Sequence, residues 1–126
     1  MTLSHGHSLS ESVVGLAITV HRSLGPGLLE SAYEECLCFE LEQAGVAFVR
    51  QAPLPVVYKT VRLDCGYRMD IVVEDDLVIE LKAVERLLPI HEAQMLTYLR
   101  LSGHKIGLLM NFNSAVLKDG LKRFVL

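Results

Sequence analysis

Three residues near the middle of the chain have types and spacing suited to chemistry: Asp70, Glu80 and Lys82, within the stretch DIVVEDDLVIELK. Asp70 and Glu80 lie equally far from Asp75, so a chain that folds back there sets two carboxylates opposite each other beside an ammonium. Directly opposed side chains on adjacent strands have Cβ atoms about 4.5–5.5 Å apart, a distance at which like charges repel. Such a pair opposes folding unless something positive lies between the two acids. A hard divalent cation meets that need, because Mg²⁺ takes oxygen ligands from one or two carboxylates and keeps waters for a substrate phosphate. A lysine beside it could orient or help deprotonate an attacking water and stabilise charge building on a phosphate. The plainer alternative is a solvated sheet end where Lys82 and Arg68 neutralise the acids.

Register decides whether the acids meet. A three-residue loop of Glu74, Asp75 and Asp76 pairs Val73 with Leu77 and Ile71 with Ile79, which places Asp70 across from Glu80. Alternation puts Asp70 and Val72 on one face of their strand, and Val78, Glu80 and Lys82 on one face of the next. Two-residue loops centred elsewhere would set a carboxylate against Ile79 or Leu81, and a buried face specifies register strongly. The flanks favour the cation site over the solvated end. Asp70 follows GYR, and Glu80 and Lys82 end a strongly apolar strand, where buried polar groups are costly without a purpose.

The elements that must position these residues follow from periodicity. Leu9, Val13, Leu16, Val20 and Leu24 recur at helical steps and predict a helix over 9–24, with Ser8 or Ser10 as N-cap and LGPG as its stop. A second helix is predicted over 28–44, ended by Gly45, with Leu29, Ala32, Tyr33, Cys36, Leu37 and Leu41 apolar and Glu34, Glu35 and Glu42 on a wet side. Residues 46–51, 54–63, 66–73 and 77–83 are rich in β-branched side chains and predict strands, the first made an edge or irregular strand by Pro53 and Pro55. A helix over 89–102, a buried strand over 104–112, a short helix near 114–119 and a final strand in LKRFVL complete the chain. This order predicts an α/β fold: a mixed sheet flanked by helices, in which the helix over 89–102 is the right-handed crossover between parallel strands.

The composition sets the bounds. A length of 126 residues suits one domain. The chain is 51% hydrophobic with a mean hydropathy of +0.35, yet charges interrupt every apolar run well before the length needed to span a bilayer. The surplus apolar surface is expected in a core and in a subunit interface of a homo-oligomer, a dimer first of all. No basic region precedes an apolar stretch near the N-terminus, so no signal peptide is expected. Cys36, Cys38 and Cys65 cannot all pair within one chain and suit free thiols in a reducing cytoplasm. Residues 1–8 are polar and expected to be a frayed leader, with His5 and His7 as an alternative metal grip. A net charge of −3 argues against a protein that coats DNA non-specifically, without excluding a nucleic-acid substrate.

GLLESAY at 27–33 fits Gly-x-x-Glu-x-x-Tyr, and the surrounding VHRSLGPGLLESAYEECL resembles the N-terminal signature of the GxxExxY protein family. YRMDIVV, VIELKAV, QMLTYL and GLLMNF are similar to that family's later blocks, in the same order, so the resemblance runs from about residue 12 to 126. Asp, a hairpin, then Glu-x-Lys resembles the active-site signature of the PD-(D/E)XK nuclease superfamily. The resemblance implies a restriction-endonuclease-like core in the order α-α-β-β-β-α-β. It implies Mg²⁺ or Mn²⁺ bound by Asp70 and Glu80 with the backbone carbonyl of Leu81, Glu30 as a helix-borne acid ligating metal or water, and Lys82 as a catalytic residue. Gln94 and Tyr98 match the Gln-x-x-x-Tyr element of RecB-type members and lie four apart on one helix face. The proline usual before the first acid is replaced by Met69. The implied activity is divalent-metal-dependent hydrolysis of phosphodiester bonds in nucleic acid, DNA in particular. The alternative is a non-catalytic nuclease-fold module that binds nucleic acid or a protein partner.

Other residues have two readings each. Glu30 is favoured in a first helical turn by the dipole alone. Tyr33 has a core ring and a hydroxyl near Glu30 or substrate. His21 braces the turn or serves the site, Arg68 pairs with Asp70 or holds a phosphate, and His91 caps the helix that carries Gln94. The glycines around Pro26 make a turn and not a phosphate-binding loop, because the lysine-serine/threonine ending is missing.

Overall fold

In the computed structural model, residues 2–126 are described, with side chains from Ser8 onward. The first helix, α1, spans Thr2–Leu24 and buries Leu9, Val13, Ala17 and Val20 along one stripe. It starts seven residues before the apolar spacing suggests, so the frayed leader expected over 1–8 is helical from Thr2. The polar residues there carry no proline, and extending a formed helix costs little per residue. The side chains of His5 and His7 lie outside the described residues. Gly25, at φ 70, ends α1 where its N–H donates to the His21 carbonyl at 2.7 Å. The second helix, α2, spans Glu30–Gln43 and buries Tyr33, Leu37, Cys38 and Leu41.

Five strands form the main sheet: β1 (Phe48–Pro53), β4 (Arg68–Val73), β5 (Leu77–Lys82), β6 (Ile106–Asn111) and β7 (Leu121–Val125), in the order β1-β4-β5-β6-β7. β4 and β5 are an antiparallel hairpin, whereas β5 and β6 run parallel and are joined by the crossover helix α3 (Pro89–Ser102). The stretch over 54–63 is not one strand of this sheet. It is a separate hairpin of β2 (Val56–Tyr58) and β3 (Val61–Leu63), turned at Lys59 with φ 55. Pro53 and Pro55 carry no N–H to continue the ladder, and this releases the chain from β1. The helix expected near 114–119 is a single 3₁₀ turn at Leu117–Gly120.

The two faces of the sheet have different covers. Ile71, Val73, Leu77, Ile79, Leu81, Leu108 and Met110 pack against α1 and α2. Val72, Val78 and Leu109 pack against Met95, Tyr98 and Leu99 of α3. Gly107 leaves room for α3 against β6: a Cβ there would lie 2.5 Å from Met95 Sδ, and the methionine side chain would have to shift. Asp70, Glu80 and Lys82 share the α3 face and follow the core residues Val72 and Val78 on that face. Among the described residues no helix is long and apolar enough to cross a membrane.

Candidate active site

The site begins where a β-ladder stops. β4 and β5 pair through Val73–Leu77, Val72–Val78 and Ile71–Ile79, the register that hydrophobic alternation requires. The loop has no glycine, so Glu74 and Asp75 themselves take φ 53, and the Asp76 N–H closes the turn on the Val73 carbonyl at 3.0 Å. Positive φ at two successive positions is what a tight hairpin needs to match strand twist.

One residue beyond Ile71 and Ile79, side chains replace the ladder. The Asp70 N–H donates to Glu80 Oε2 at 2.8 Å, and the Leu81 N–H donates to Asp70 Oδ2 at 2.8 Å. Each carboxylate grips the opposite strand through one oxygen. The other oxygens, Asp70 Oδ1 and Glu80 Oε1, accept no protein hydrogen bond among the described residues. Neither is sealed from solvent, because no fully buried side-chain oxygen or nitrogen there lacks a partner.

Electrostatics makes the pair unusual. Glu80 is only 5% exposed. Burial, then the charge of Asp70, pushes its pKa up to about 8, against the Asp70 N–H and Lys82. Asp70 is also raised, first by burial, with Glu34 and Glu30 adding to the effect and the Leu81 N–H and Lys82 opposing it. Two facing carboxyls that resist joint ionisation call for a shared proton or a cation.

Lys82 follows on the same face. Its Nζ donates to Gln94 Oε1 at 3.4 Å, and Gln94 Nε2 donates to the Tyr98 hydroxyl at 3.3 Å. Strand alternation and the four-residue helical step thus deliver all three to one place, as the spacing predicts. The Tyr98 hydroxyl is raised in pKa by burial and then by the Glu80 charge. Beyond Lys82 the strand's exit is fixed by Asn111, whose Oδ1 accepts the Val84 N–H at 3.1 Å and whose Nδ2 donates to the Val84 carbonyl at 2.9 Å. The one polar residue inside GLLMNF was the available signal for this brace.

The acid on α2 differs most from expectation. Glu30 is exposed in a hollow of about 400 Å³ with Leu28, Leu29, Ser31 and Ala83. Glu34, expected on a wet side, is buried at 8% exposure. Arg50 Nε donates to its Oε2 at 2.6 Å, and Gln51 Nε2 donates to its two oxygens at 2.9 and 3.2 Å. Arg50 is what makes that burial tolerable, and it lies far from Glu34 in sequence. Gln51 falls opposite Asp70 between the pairs Arg50–Ile71 and Ala52–Met69, and takes φ 53 within β1. A left-handed glutamine in a strand is strained, and it turns that side chain toward Glu34.

Other candidates stand elsewhere. The Tyr33 hydroxyl donates to the Gly25 carbonyl at 2.6 Å and accepts the Leu28 N–H at 3.0 Å, while its ring stacks on Phe112 at 4.6 Å. It clasps the glycine-proline turn rather than reaching Glu30. His21 is buried and donates from Nε2 to the Ser114 carbonyl at 2.8 Å, so its side chain ties the end of α1 to the loop after β6 and does not reach the carboxylate pair. His91 accepts the Leu88 N–H at Nδ1, 3.0 Å away, and caps α3. Arg68 is exposed and, among the described residues, forms no ion pair with Asp70.

Among the described residues no three histidine, cysteine, aspartate or glutamate side chains converge on one point, so Glu30 does not complete a three-acid cluster. Asp70 and Glu80 by themselves have the donor chemistry a hard divalent cation takes: each keeps one carboxylate oxygen without a protein hydrogen bond among the described residues, and such a cation leaves further positions to water and phosphate.

A mixed five-stranded sheet between helical layers, with Asp and Glu-x-Lys where its central hairpin opens, defines a restriction-endonuclease-like core. The sequence profile of the PD-(D/E)XK nuclease superfamily matches residues 7–124, and the chain belongs to that superfamily. Searches of curated proteins and of solved structures returned no match.

Proposed function

We propose that this protein is a divalent-metal-dependent nuclease that hydrolyses phosphodiester bonds in nucleic acid, with DNA as the substrate. The observation that carries the reading is the facing pair Asp70 and Glu80, each with one oxygen committed to backbone and one left over. Those free oxygens would hold Mg²⁺ or Mn²⁺, with the Leu81 carbonyl beside them and Glu30 acting through water. The cation, when bound, supplies an activated water and a counter-charge for the phosphate. Lys82 would orient the attacking water and steady charge on the phosphate, while Gln94 and Tyr98 hold the ammonium in place. Glu34 adds negative potential from the other side and so favours a cation at the pair.

The motif GLLESAY supports placing the chain in the GxxExxY branch, and its tyrosine has a structural task in the turn clasp. Exposed Leu29 and Phe39 along α2 support a homodimer. Three unpaired cysteines support a reducing compartment, the cytoplasm.

A non-catalytic module has one observation in its favour: the two carboxylates already serve as backbone acceptors and would stabilise the hairpin with a shared proton. Calorimetric titration of Mn²⁺ into the wild type and Asp70→Ala, followed by cleavage assays on plasmid and on single-stranded circular DNA, separates the two. The nuclease reading expects binding that vanishes in Asp70→Ala and cleavage that vanishes in Lys82→Ala. Full cleavage by a folded Lys82→Ala protein overturns the mechanism.

A further inference from the structure

Beside the carboxylates, between α3 and the β2–β3 hairpin, lies a hollow of about 370 Å³ lined chiefly by Val56, Tyr67, Ile90, Gln94, Tyr98 and Leu101. Two of these, Gln94 and Tyr98, are the residues that hold Lys82, so the hollow and the candidate site share a wall. Tyr67 is half exposed and stands edge-on to Tyr98 at 6.5 Å between ring centroids. Ile90 is 67% exposed, an apolar side chain left largely open to solvent. Residues 56–68, from the hairpin to the first residue of β4, carry Lys59, Arg62 and Arg68, all exposed, against the single acid Asp64, in a chain whose net charge is −3. Lys59 lies 5.4 Å over the exposed ring of Tyr58.

We infer that this hollow receives an unpaired nucleobase of the strand whose phosphate lies at Asp70 and Glu80, so that the substrate is single-stranded or frayed nucleic acid. The inference rests on the nuclease reading and adds the substrate class. A base needs apolar walls for its faces and a polar group for its edge. Val56, Ile90 and Leu101 supply the walls, the Tyr67 ring a stacking surface, and the Gln94 amide an edge partner. The volume lies at the small end of the roughly 300–1,000 Å³ usual for ligand sites, which suits one planar ring system. Aromatic platforms beside a cationic track are how proteins hold single strands without reading sequence. A paired base would have to leave its stack to enter. A second copy of the chain fits less well, because a two-fold contact here would bring Lys59, Arg62 and Arg68 against themselves.

The test is fluorescence anisotropy on the full chain at low salt in EDTA, with labelled oligothymidylate and a blunt duplex of equal length as probes. The expected result is tighter binding of the single strand, weakened about tenfold by Tyr67→Ala and kept by Tyr67→Phe, with duplex binding little changed. Ile90→Ala, at a still more exposed position, should weaken single-strand binding in the same direction. Equal single-strand affinity in wild type and Tyr67→Ala, tighter duplex binding, or no single-strand binding at all overturns the inference. So does a dimer that Tyr67→Ala splits without affecting DNA, which assigns the hollow to a second copy. Cleavage is scored separately with Mn²⁺. Single-strand binding that needs Tyr67, in a protein that cuts nothing, supports the base site and overturns the nuclease reading alone.

Discussion

Asp70 and Glu80 each hold the other's strand: the Asp70 N–H donates to the Glu80 carboxylate and the Leu81 N–H to the Asp70 carboxylate, both at 2.8 Å. The hairpin therefore opens at a point made of side chains rather than ladder. This explains how two like groups occupy one place, since each replaces a backbone acceptor that the diverging strand no longer offers. It also leaves one oxygen of each carboxylate free.

The first prediction concerns pH. Burial and the Asp70 charge push the folded-state pKa of Glu80 from an ordinary 4.5 to about 8. Between those limits the folded protein keeps a proton that the unfolded chain releases. Stability of the metal-free protein is then greatest below the unfolded pKa and falls as pH rises to about 8. One proton gives a slope of up to about 1.4 kcal/mol per pH unit. The shift of Asp70 has the same sign. Thermal unfolding in EDTA should show Tm falling over this window, with most of the slope absent in Glu80→Gln and Mn²⁺ raising Tm most at the alkaline end. A metal-free Tm that rises over the window would contradict the assigned burial.

Lys82 should matter to turnover and little to folding. It is half-buried, and its one side-chain bond is a 3.4 Å contact to Gln94. At acid pH, where both carboxyls carry protons, Lys82→Ala should change stability within about 0.5 kcal/mol, and the variant should lose more as pH rises and the carboxylates lose their counter-charge. Cleavage should drop about 100-fold or more, as when one charge-stabilising donor is removed from a reacting centre. Gln94→Ala should lower kcat, because Lys82 loses its partner, and raise KM, because a base in the hollow loses its edge contact. An unchanged KM would leave Gln94 as a positioning residue for Lys82 only.

Tyr33 and Glu30 lie three residues apart in one motif but should behave oppositely. Tyr33→Phe strips the Gly25 carbonyl and the Leu28 N–H of their shared partner. The expected cost is about 1–2 kcal/mol in chemical denaturation, with Mn²⁺ affinity unchanged. Glu30→Gln, at an exposed position, should leave stability intact and weaken Mn²⁺ binding. Equal Mn²⁺ affinity in Glu30→Gln and wild type would leave Glu30 as a helix-start residue only.

Much of the site was legible because it depends on local rules. Hydrophobic alternation set the β4–β5 register, a four-residue step aligned Gln94 with Tyr98, and α3 falls over 89–102 as its pattern required. What escaped depends on distant partners. Glu34 looked solvated because nothing near it in sequence announces Arg50 and Gln51, which meet it only when β1 crosses under α2. The separate β2–β3 hairpin escaped because β-branched content marks strands without saying which sheet they join, and prolines mark an edge or irregular strand without saying where the chain goes next. The start of α1 escaped because apolar spacing marks a helix's buried face, not its polar end.

The clamp on Glu34 gives the last prediction. Arg50 and Gln51 bind its carboxylate in a buried place, and the Glu34 charge raises the pKa of both Asp70 and Glu80. Arg50→Ala removes the main counter-charge. Because the Arg50 side chain is 37% exposed, the expected loss is about 1–3 kcal/mol, below the cost of breaking a fully buried pair. Adding Glu34→Ala to that variant should recover part of the loss, since no orphaned charge then remains. Glu34→Gln alone lowers the pKa of Glu80, so the fall of metal-free stability with pH should end at a lower pH than in the wild type. Mn²⁺ affinity should drop as well, because the pair loses the negative potential behind it. An unshifted pH profile in Glu34→Gln would show that α2 serves the sheet only as a cover and leaves the carboxylates to set their own charge.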